Sequence, residues 1–290
     1  MSRQIFHKTV AVDGVDIFYR EAGDPGHPAL LLLHGFPSSS YMFKGLMTAL
    51  SDRYHLVAPD YPGFGFSAFP GKSSFAYSFK NISAYIGRFT EIIGLNAFTI
   101  YLHDYGCPIG LHLCINHPLK IEAVIVQNGN AYREGIGPQW EDTLDYWAHP
   151  TEAKKKKVAA FLSKEGVEAQ YTAGVAEQLL SRIGPEAWLL DWERMRRPGN
   201  IEMQFALNYD YRHNLDMFPV FQQYFCQYQP PALVIWGRYD PFFSVAEASC
   251  YQRDLPHAQV HILEGAHMLL ETHFDEVLTL IQQFLLTEVI

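Results

Sequence analysis

Residues 98 to 117 read F-T-I-Y-L-H-D-Y-G-C-P-I-G-L-H-L-C-I-N-H, and this stretch restricts the fold more than any other. An apolar, β-prone run from Phe98 to Leu102 meets Asp104, then Gly106, then an apolar segment through Ile109, Leu111, Leu113, Cys114 and Ile115. The pattern is strand, sharp turn, helix. A side chain at the tip of such a turn is held out from the sheet by strained backbone, and the helix N-terminus behind it favours negative charge. Gly106 leaves room for that helix to pass close to neighbouring backbone. A carboxylate at the tip can attack carbon directly and form an ester. The alternative reading is that Asp104 only caps the helix.

The rest of the chain repeats the strand and helix alternation. Residues 7 to 22 read as two strands around a turn at Asp13-Gly14, ended by the break G-D-P-G-H-P (23 to 28). A-L-L-L-L-H-G-F-P (29 to 37) opens with the continuous aliphatic run expected of a strand buried on both faces of a parallel sheet. Ser38, Ser39 and Ser40 then open a helix to Leu50, His55 to Ala58 forms a further strand, and P-D-Y-P-G-F-G-F-S (59 to 67) is a loop. A helix over Ser78 to Ile93 precedes the Asp104 strand, and I-E-A-V-I-V-Q-N (121 to 128) is another buried strand. From 131 to 218 the alternation stops, and a block of about ninety residues is too long for a loop, so it reads as an inserted helical cap. The sheet resumes at A-L-V-I-W-G (232 to 237), followed by a helix over 245 to 255, a strand from Gln259 to Leu263, and a closing helix over 273 to 286. The expected organisation is a core from 1 to 130 and 219 to 290, with the cap from 131 to 218 between its parts.

Composition excludes several function classes. A formal charge of -9 with no basic face argues against nucleic acid as a partner. The one basic run, Lys154 to Lys157, reads as a solvated helix face. The N-terminus lacks an apolar segment and no run of about 18 apolar residues exists, so neither export nor membrane insertion is expected. Cys107, Cys114, Cys226 and Cys250 form no C-x-x-C pair and fit reduced thiols in a cytoplasm. The histidines show no ligand spacing, so no metal is expected.

In an open α/β sheet, sites lie at the carboxyl ends of the strands. Asp104 follows one strand, Asp240 follows another in W-G-R-Y-D-P-F-F, and His267 follows a third in E-G-A-H-M-L-L-E. Three such residues at three strand ends, in the order nucleophile, acid, histidine, read as a catalytic triad. On the segments H-G-F-P (34 to 37), H-D-Y-G (103 to 106), G-R-Y-D-P-F-F (237 to 243) and G-A-H (265 to 267), the whole chain resembles the α/β-hydrolase superfamily. Within it, the similarity is to the epoxide hydrolase and dehalogenase group, which uses an aspartate nucleophile where the fold's ester hydrolases carry Ser. The resemblance implies an α/β fold with a mostly parallel eight-stranded sheet flanked by helices. It also implies an oxyanion hole from the backbone N–H groups of Phe36 and Tyr105, and catalysis without a cofactor. Leu102 stands where many relatives have Gly or Val.

The resemblance further implies a two-step reaction. Asp104 would attack an electrophilic carbon, and His267, oriented by Asp240, would activate water to hydrolyse the resulting ester. Epoxide opening to a vicinal diol is the expected chemistry. Haloalkane dehalogenases usually carry Trp and Asn where this chain has Tyr105 and Phe36. Haloacetate dehalogenases place arginines where it has Tyr105 and Pro108. An epoxide needs a proton donor, and L-D-Y-W (144 to 147) points to Tyr146 while N-Y-D-Y-R-H-N (208 to 214) points to Tyr211, with Tyr209 the other choice. Trp147 and His149 would serve a halide pocket if the substrate were halogenated. The alternatives are a haloalkane or haloacetate dehalogenase and, from a different class, a non-catalytic ligand-binding protein. The expected partners are a small apolar substrate and water, and the protein would act as a monomer or homodimer.

Overall fold

The computed structural model describes residues 4–71 and 74–288; the outermost residues of the expected core segments, 1–3 and 289–290, lie outside it. Strands β1 (Phe6–Val12) and β2 (Val15–Ala22) form the opening hairpin, turned by Asp13 and Gly14, both at positive φ. They are followed by β3 (Ala29–Leu33), helix α1 (Lys44–Leu50), β4 (His55–Pro59), α2 (Phe79–Ile92), β5 (Phe98–His103), α3 (Gly106–Asn116) and β6 (Ile121–Gln127). Six helices then intervene: α4 (Glu141–Ala148), α5 (Glu152–Val158), α6 (Lys164–Thr172), α7 (Pro185–Met195), α8 (Asn200–Asp210) and α9 (Arg212–Tyr228). The chain closes with β7 (Ala232–Gly237), the short α10 (Tyr251–Asp254), β8 (Gln259–Leu263), the short α11 (Leu269–Thr272) and α12 (Phe274–Glu288).

The strands make one eight-stranded sheet in the order β1-β2-β4-β3-β5-β6-β7-β8. β2 is antiparallel to β1 and β4, and every other pair is parallel. Why the strands read as unbroken apolar runs is visible in their packing. Leu31 and Leu33 join one core with Ile100, Leu102, Val124, Val126, Val234 and Trp236, while Leu30 and Leu32 face the opposite core with Tyr101, Ile125, Leu233 and Ile235. The central strands β3, β5, β6 and β7 are thus apolar on both faces, and burying a Leu or Ile this completely contributes about 2 kcal/mol. Helices cover the two sides. α3 is buried along nearly its whole length, whereas α12 turns only Val277, Ile281, Phe284 and Leu285 inward.

Two elements differ from the sequence reading. The helix expected from Ser38 begins instead as a 3₁₀ turn, Ser40–Phe43, because Ser40 N–H donates to Asp60 Oδ1 at 2.7 Å and Arg20 donates to its hydroxyl. The helix expected over 245 to 255 is a 3₁₀ segment, Val245–Cys250, followed by one α-helical turn. Glu247, fully buried in that segment, accepts from the backbone N–H groups of Ala131 (2.6 Å) and Tyr132 (2.9 Å) and from Asn130 Nδ2 (2.6 Å). These bonds tie the segment to the chain leaving β6. Position 218, where the reading placed the end of the insertion, falls inside α9, which continues to Tyr228 and packs on α3.

Candidate active site at the strand ends

Asp104 sits between β5 and α3 with φ 49°, a left-handed conformation that Asp and Asn tolerate better than bulkier residues. Its own N–H donates to the carbonyl of Asn128 at 3.2 Å, fixing the turn to the end of β6. The turn fits only because its neighbours are glycines. A Cβ on Gly106 would lie 2.2 Å from the Leu33 carbonyl oxygen, and one on Gly35 would lie 2.3 Å from Asp104 Cβ. Gly106→Ala should therefore cost about 3 kcal/mol, since the obstructing atoms are backbone. Urea unfolding checks this, and a midpoint equal to wild type would count against a tightly packed turn.

The Asp104 carboxylate accepts hydrogen bonds from the backbone N–H groups of Phe36 and Tyr105. Burial penalises its charge more than these bonds and His267 favour it, and its pKa is raised to about 6. The Phe36 N–H thus faces Oδ1, and the Tyr105 N–H faces the same carboxylate, two donors where negative charge would grow.

His267 is fully buried, with Nδ1 2.9 Å from Asp240 Oδ2. Burial disfavours the imidazolium, but the carboxylates of Asp240 and Asp104 outweigh that and leave the His267 pKa raised. Asp240 is held rigidly: Oδ1 accepts from the N–H groups of Phe242 (2.7 Å) and Phe243 (3.1 Å), and Oδ2 accepts from Asn128 Nδ2 (2.6 Å). His267 Nε2 is buried and has no protein partner. Such a nitrogen, free and next to a carboxylate it senses electrostatically, can take a proton from a ligand or water. His103 packs against the same ring, with centroids 4.7 Å apart and its Nδ1 3.0 Å from the Gln127 carbonyl oxygen. Burial and the neighbouring His267 push the His103 pKa well below its ordinary value, so it adds no charge to the cluster at neutral pH.

A cavity of about 320 Å³ opens over Asp104, walled by Phe36, Trp140, Phe161, Phe242 and Phe243. A larger groove of about 540 Å³, lined by Tyr41, Lys44, Glu186 and Glu271 among others, contains none of the three strand-end residues. The residues singled out in the helical segment are placed unevenly. Tyr211 is buried, its ring 5.9 Å from that of Tyr105, and its hydroxyl donates to Asn130 Oδ1 at 3.2 Å. Trp147 stacks on Tyr211 at 6.4 Å, and its indole N–H is buried without a partner. Tyr146 packs against Phe205 and Tyr209, and Tyr209 carries the Arg212 guanidinium 3.7 Å above its ring. None of these four is among the cavity's lining residues, and His149 is 78% exposed, away from it.

Sequence reasoning missed three groups near the cavity. Asn128, which holds Asp240, follows β6 and could have been found by the strand-end rule. Gln170 and Asn208 line the cavity from α6 and α8, and no pattern in the sequence marks them.

Comparison with known proteins gives a consistent picture. A family model described as the alpha/beta hydrolase fold matches residues 28–274. The chain is 37% identical over 272 residues to the uncharacterised hydrolase YNR064C of Saccharomyces cerevisiae, covering 92% of each. It is 35% identical over 101 residues to haloalkane dehalogenase 2 of Mycobacterium tuberculosis, which covers 35% of each chain. The structure of a putative epoxide hydrolase from Pseudomonas aeruginosa superimposes with a TM-score of 0.80 over 98% of this chain and 96% of the other, at 18% identity, a likeness of fold.

Proposed function

The chain belongs to the α/β-hydrolase fold family, and on that footing we propose that it opens an epoxide to a vicinal diol through a covalent ester on Asp104. The observation that carries this reading is the Asp104 carboxylate itself. It stands at the tip of the turn with one oxygen held by the Phe36 N–H, while its pKa of about 6 leaves it mostly ionised at neutral pH. Asp104 Oδ2 attacks an epoxide carbon, the C–O bond breaks, and Tyr211 gives its proton to the departing oxygen. Burial, reinforced by the charge on Asp104, holds the Tyr211 pKa well above its ordinary value, so the phenol is protonated, and its O–H turns from Asn130 Oδ1 to meet the departing oxygen. Tyr146 and Tyr209 are second choices because they pack on each other. His267, oriented by Asp240, then draws a proton from water as the water attacks the ester carbonyl. The tetrahedral oxyanion forms on Oδ1, already facing the backbone N–H groups of Phe36 and Tyr105. Ester hydrolysis releases one proton net, which restores the Tyr211 phenol. No cofactor enters the scheme. The substrate is small and mainly apolar at its reacting end, to suit the phenylalanine walls, and the protein works as a monomer or homodimer in the cytoplasm. Its four unpaired cysteines suit that compartment.

The decisive experiment is a single turnover in H₂¹⁸O with enzyme in excess. The reading expects unlabelled diol, because the new oxygen comes from Asp104, and ¹⁸O in the Asp104 peptide. Labelled diol would mean that water attacks the epoxide directly and would overturn the ester.

Dehalogenation is the second reading, favoured by one observation: the buried Trp147 N–H without a partner, a donor that a halide ion would satisfy. Halide release from haloalkanes without diol formation from epoxides would establish it. The pH dependence follows from the same groups. Asp104 attacks only when ionised, so kcat/KM should rise with pH through about 6, while a hydrolysis-limited kcat should rise at a pH above the ordinary histidine range because His267, its pKa raised by the neighbouring carboxylates, must be neutral. A kcat/KM unchanged from pH 5 to 8 would remove Asp104 from the rate-determining chemistry.

A further inference from the structure

The cavity over Asp104 has apolar walls, yet three carboxamides reach it; that of Gln139 donates to the Phe242 carbonyl, and the other two come from α6 and α8. Gln170, on α6, is only 6% exposed and lines the cavity with no hydrogen bond from its side chain to the protein. Asn208, on α8, is 8% exposed, lines the same cavity, and its Oδ1 is buried without a partner. One helical turn earlier on the same face of α8, Gln204 Oε1 is likewise buried and unpartnered. A buried amide left unpaired costs about 1–3 kcal/mol, so these groups are built to meet a ligand or the water that stands in for one.

We propose that Gln170 and Asn208 form a second recognition point for a neutral oxygen function on the substrate, a hydroxyl or carbonyl carried at a distance from the electrophilic carbon. The inference deepens the proposed function and rests on it for the identity of the reacting end. Three considerations fix the chemistry. A carboxamide donates and accepts hydrogen bonds, which suits a hydroxyl or carbonyl. It does not surrender a proton to an alkoxide, so these residues are not the acid that opens the ring. The charged pair at the rim, Asp142 and Lys157, is already joined at 2.7 Å, and the Asp104 carboxylate repels anions, so an ionised substrate group has no counter-charge to meet. The substrate is therefore an oxygenated alkyl epoxide in preference to a plain hydrocarbon one.

The test compares 5,6-epoxyhexan-1-ol with 1,2-epoxyhexane, equal in carbon chain, in wild type, Gln170→Met and Asn208→Leu. Wild type should prefer the hydroxylated epoxide in kcat/KM by at least about tenfold, and the ratio should fall towards one in each variant. Equal turnover of the two by wild type, or a preference that survives both substitutions, overturns the proposal. Equilibrium binding of the hydrolysis products separates this failure from failure of the Asp104 reading, since it needs no chemistry. 1,2,6-Hexanetriol should bind wild type about tenfold more tightly than 1,2-hexanediol, and Gln170→Met should abolish the difference. Tighter triol binding with neither epoxide processed would sustain the amide site and remove the epoxide chemistry. Equal binding alongside normal epoxide turnover would do the reverse.

Discussion

Replacing Asp104 with Asn should produce a protein that is more stable than wild type at pH 8 and about 10⁴-fold less active. The activity loss follows from the proposed role of Asp104, because a carboxamide oxygen is too weak a nucleophile to open an epoxide. The stability gain follows from the raised pKa. A carboxyl of ordinary pKa 3.8 that titrates at about 6 in the folded chain is protonated in the fold while the unfolded chain has already ionised. Below about 3.8 both states are protonated and no penalty exists. As pH rises towards 6 the unfolded state gains an advantage, and above 6 the whole penalty is present, roughly 1–3 kcal/mol for a shift of this size. Asn removes the charge, keeps an acceptor for the Phe36 N–H, and tolerates the positive φ. Urea unfolding of both proteins at pH 8 and pH 4 should show a gap that closes in acid. A variant less stable than wild type at pH 8 would mean that its surroundings favour the Asp104 charge.

The His267→Gln protein should become trapped halfway. In the proposed reaction alkylation of Asp104 does not use His267, whereas hydrolysis of the ester does, so removing the imidazole should lower steady-state turnover by about 10⁴-fold and leave about one equivalent of substrate on the protein. Intact mass reads the outcome. A gain equal to the whole epoxide, located on the Asp104 peptide, identifies ring opening. A gain corresponding to the alkyl group, with halide in solution, identifies dehalogenation. A folded variant that acquires no mass from epoxides, haloalkanes or haloacetates would refute the covalent scheme and leave a ligand-binding protein as the better description.

The central strands were readable because they are buried on both faces. Runs such as Ala29–Leu33 and Ala232–Gly237 have no polar alternation to confuse them, and Gly or Pro marks their ends. The strand-end rule then brings Asp104, Asp240 and His267 to one side of the sheet from sequence alone. The rule could also have found Asn128. The helical segment was far less legible. Among so many tyrosines, spacing cannot reveal that the Tyr146 ring turns towards Phe205 and Tyr209, because that depends on how α4 meets α8. For the same reason Gln170 and Asn208 went unnoticed: a buried amide in an amphipathic helix looks like a surface residue until a neighbour covers it. The 3₁₀ segment at Val245–Cys250 escaped because its cause, the bonding of Glu247 to Ala131 and Tyr132, spans more than a hundred residues.

β6 and β7 are neighbours in the sheet, Val124 opposite Ala232, although the whole helical segment lies between them in the chain. Bringing two such distant strands together carries a loop-closure entropy that grows only with the logarithm of the intervening length, about 0.6 kcal/mol for each doubling. In loop-closure terms the sheet is therefore nearly indifferent to how long that excursion is, so changes of length are best tolerated away from α9, which packs on α3 behind the turn at Asp104. Insertions and deletions there carry a small closure cost, while Asp104, Asp240 and His267 stay at the ends of the strands.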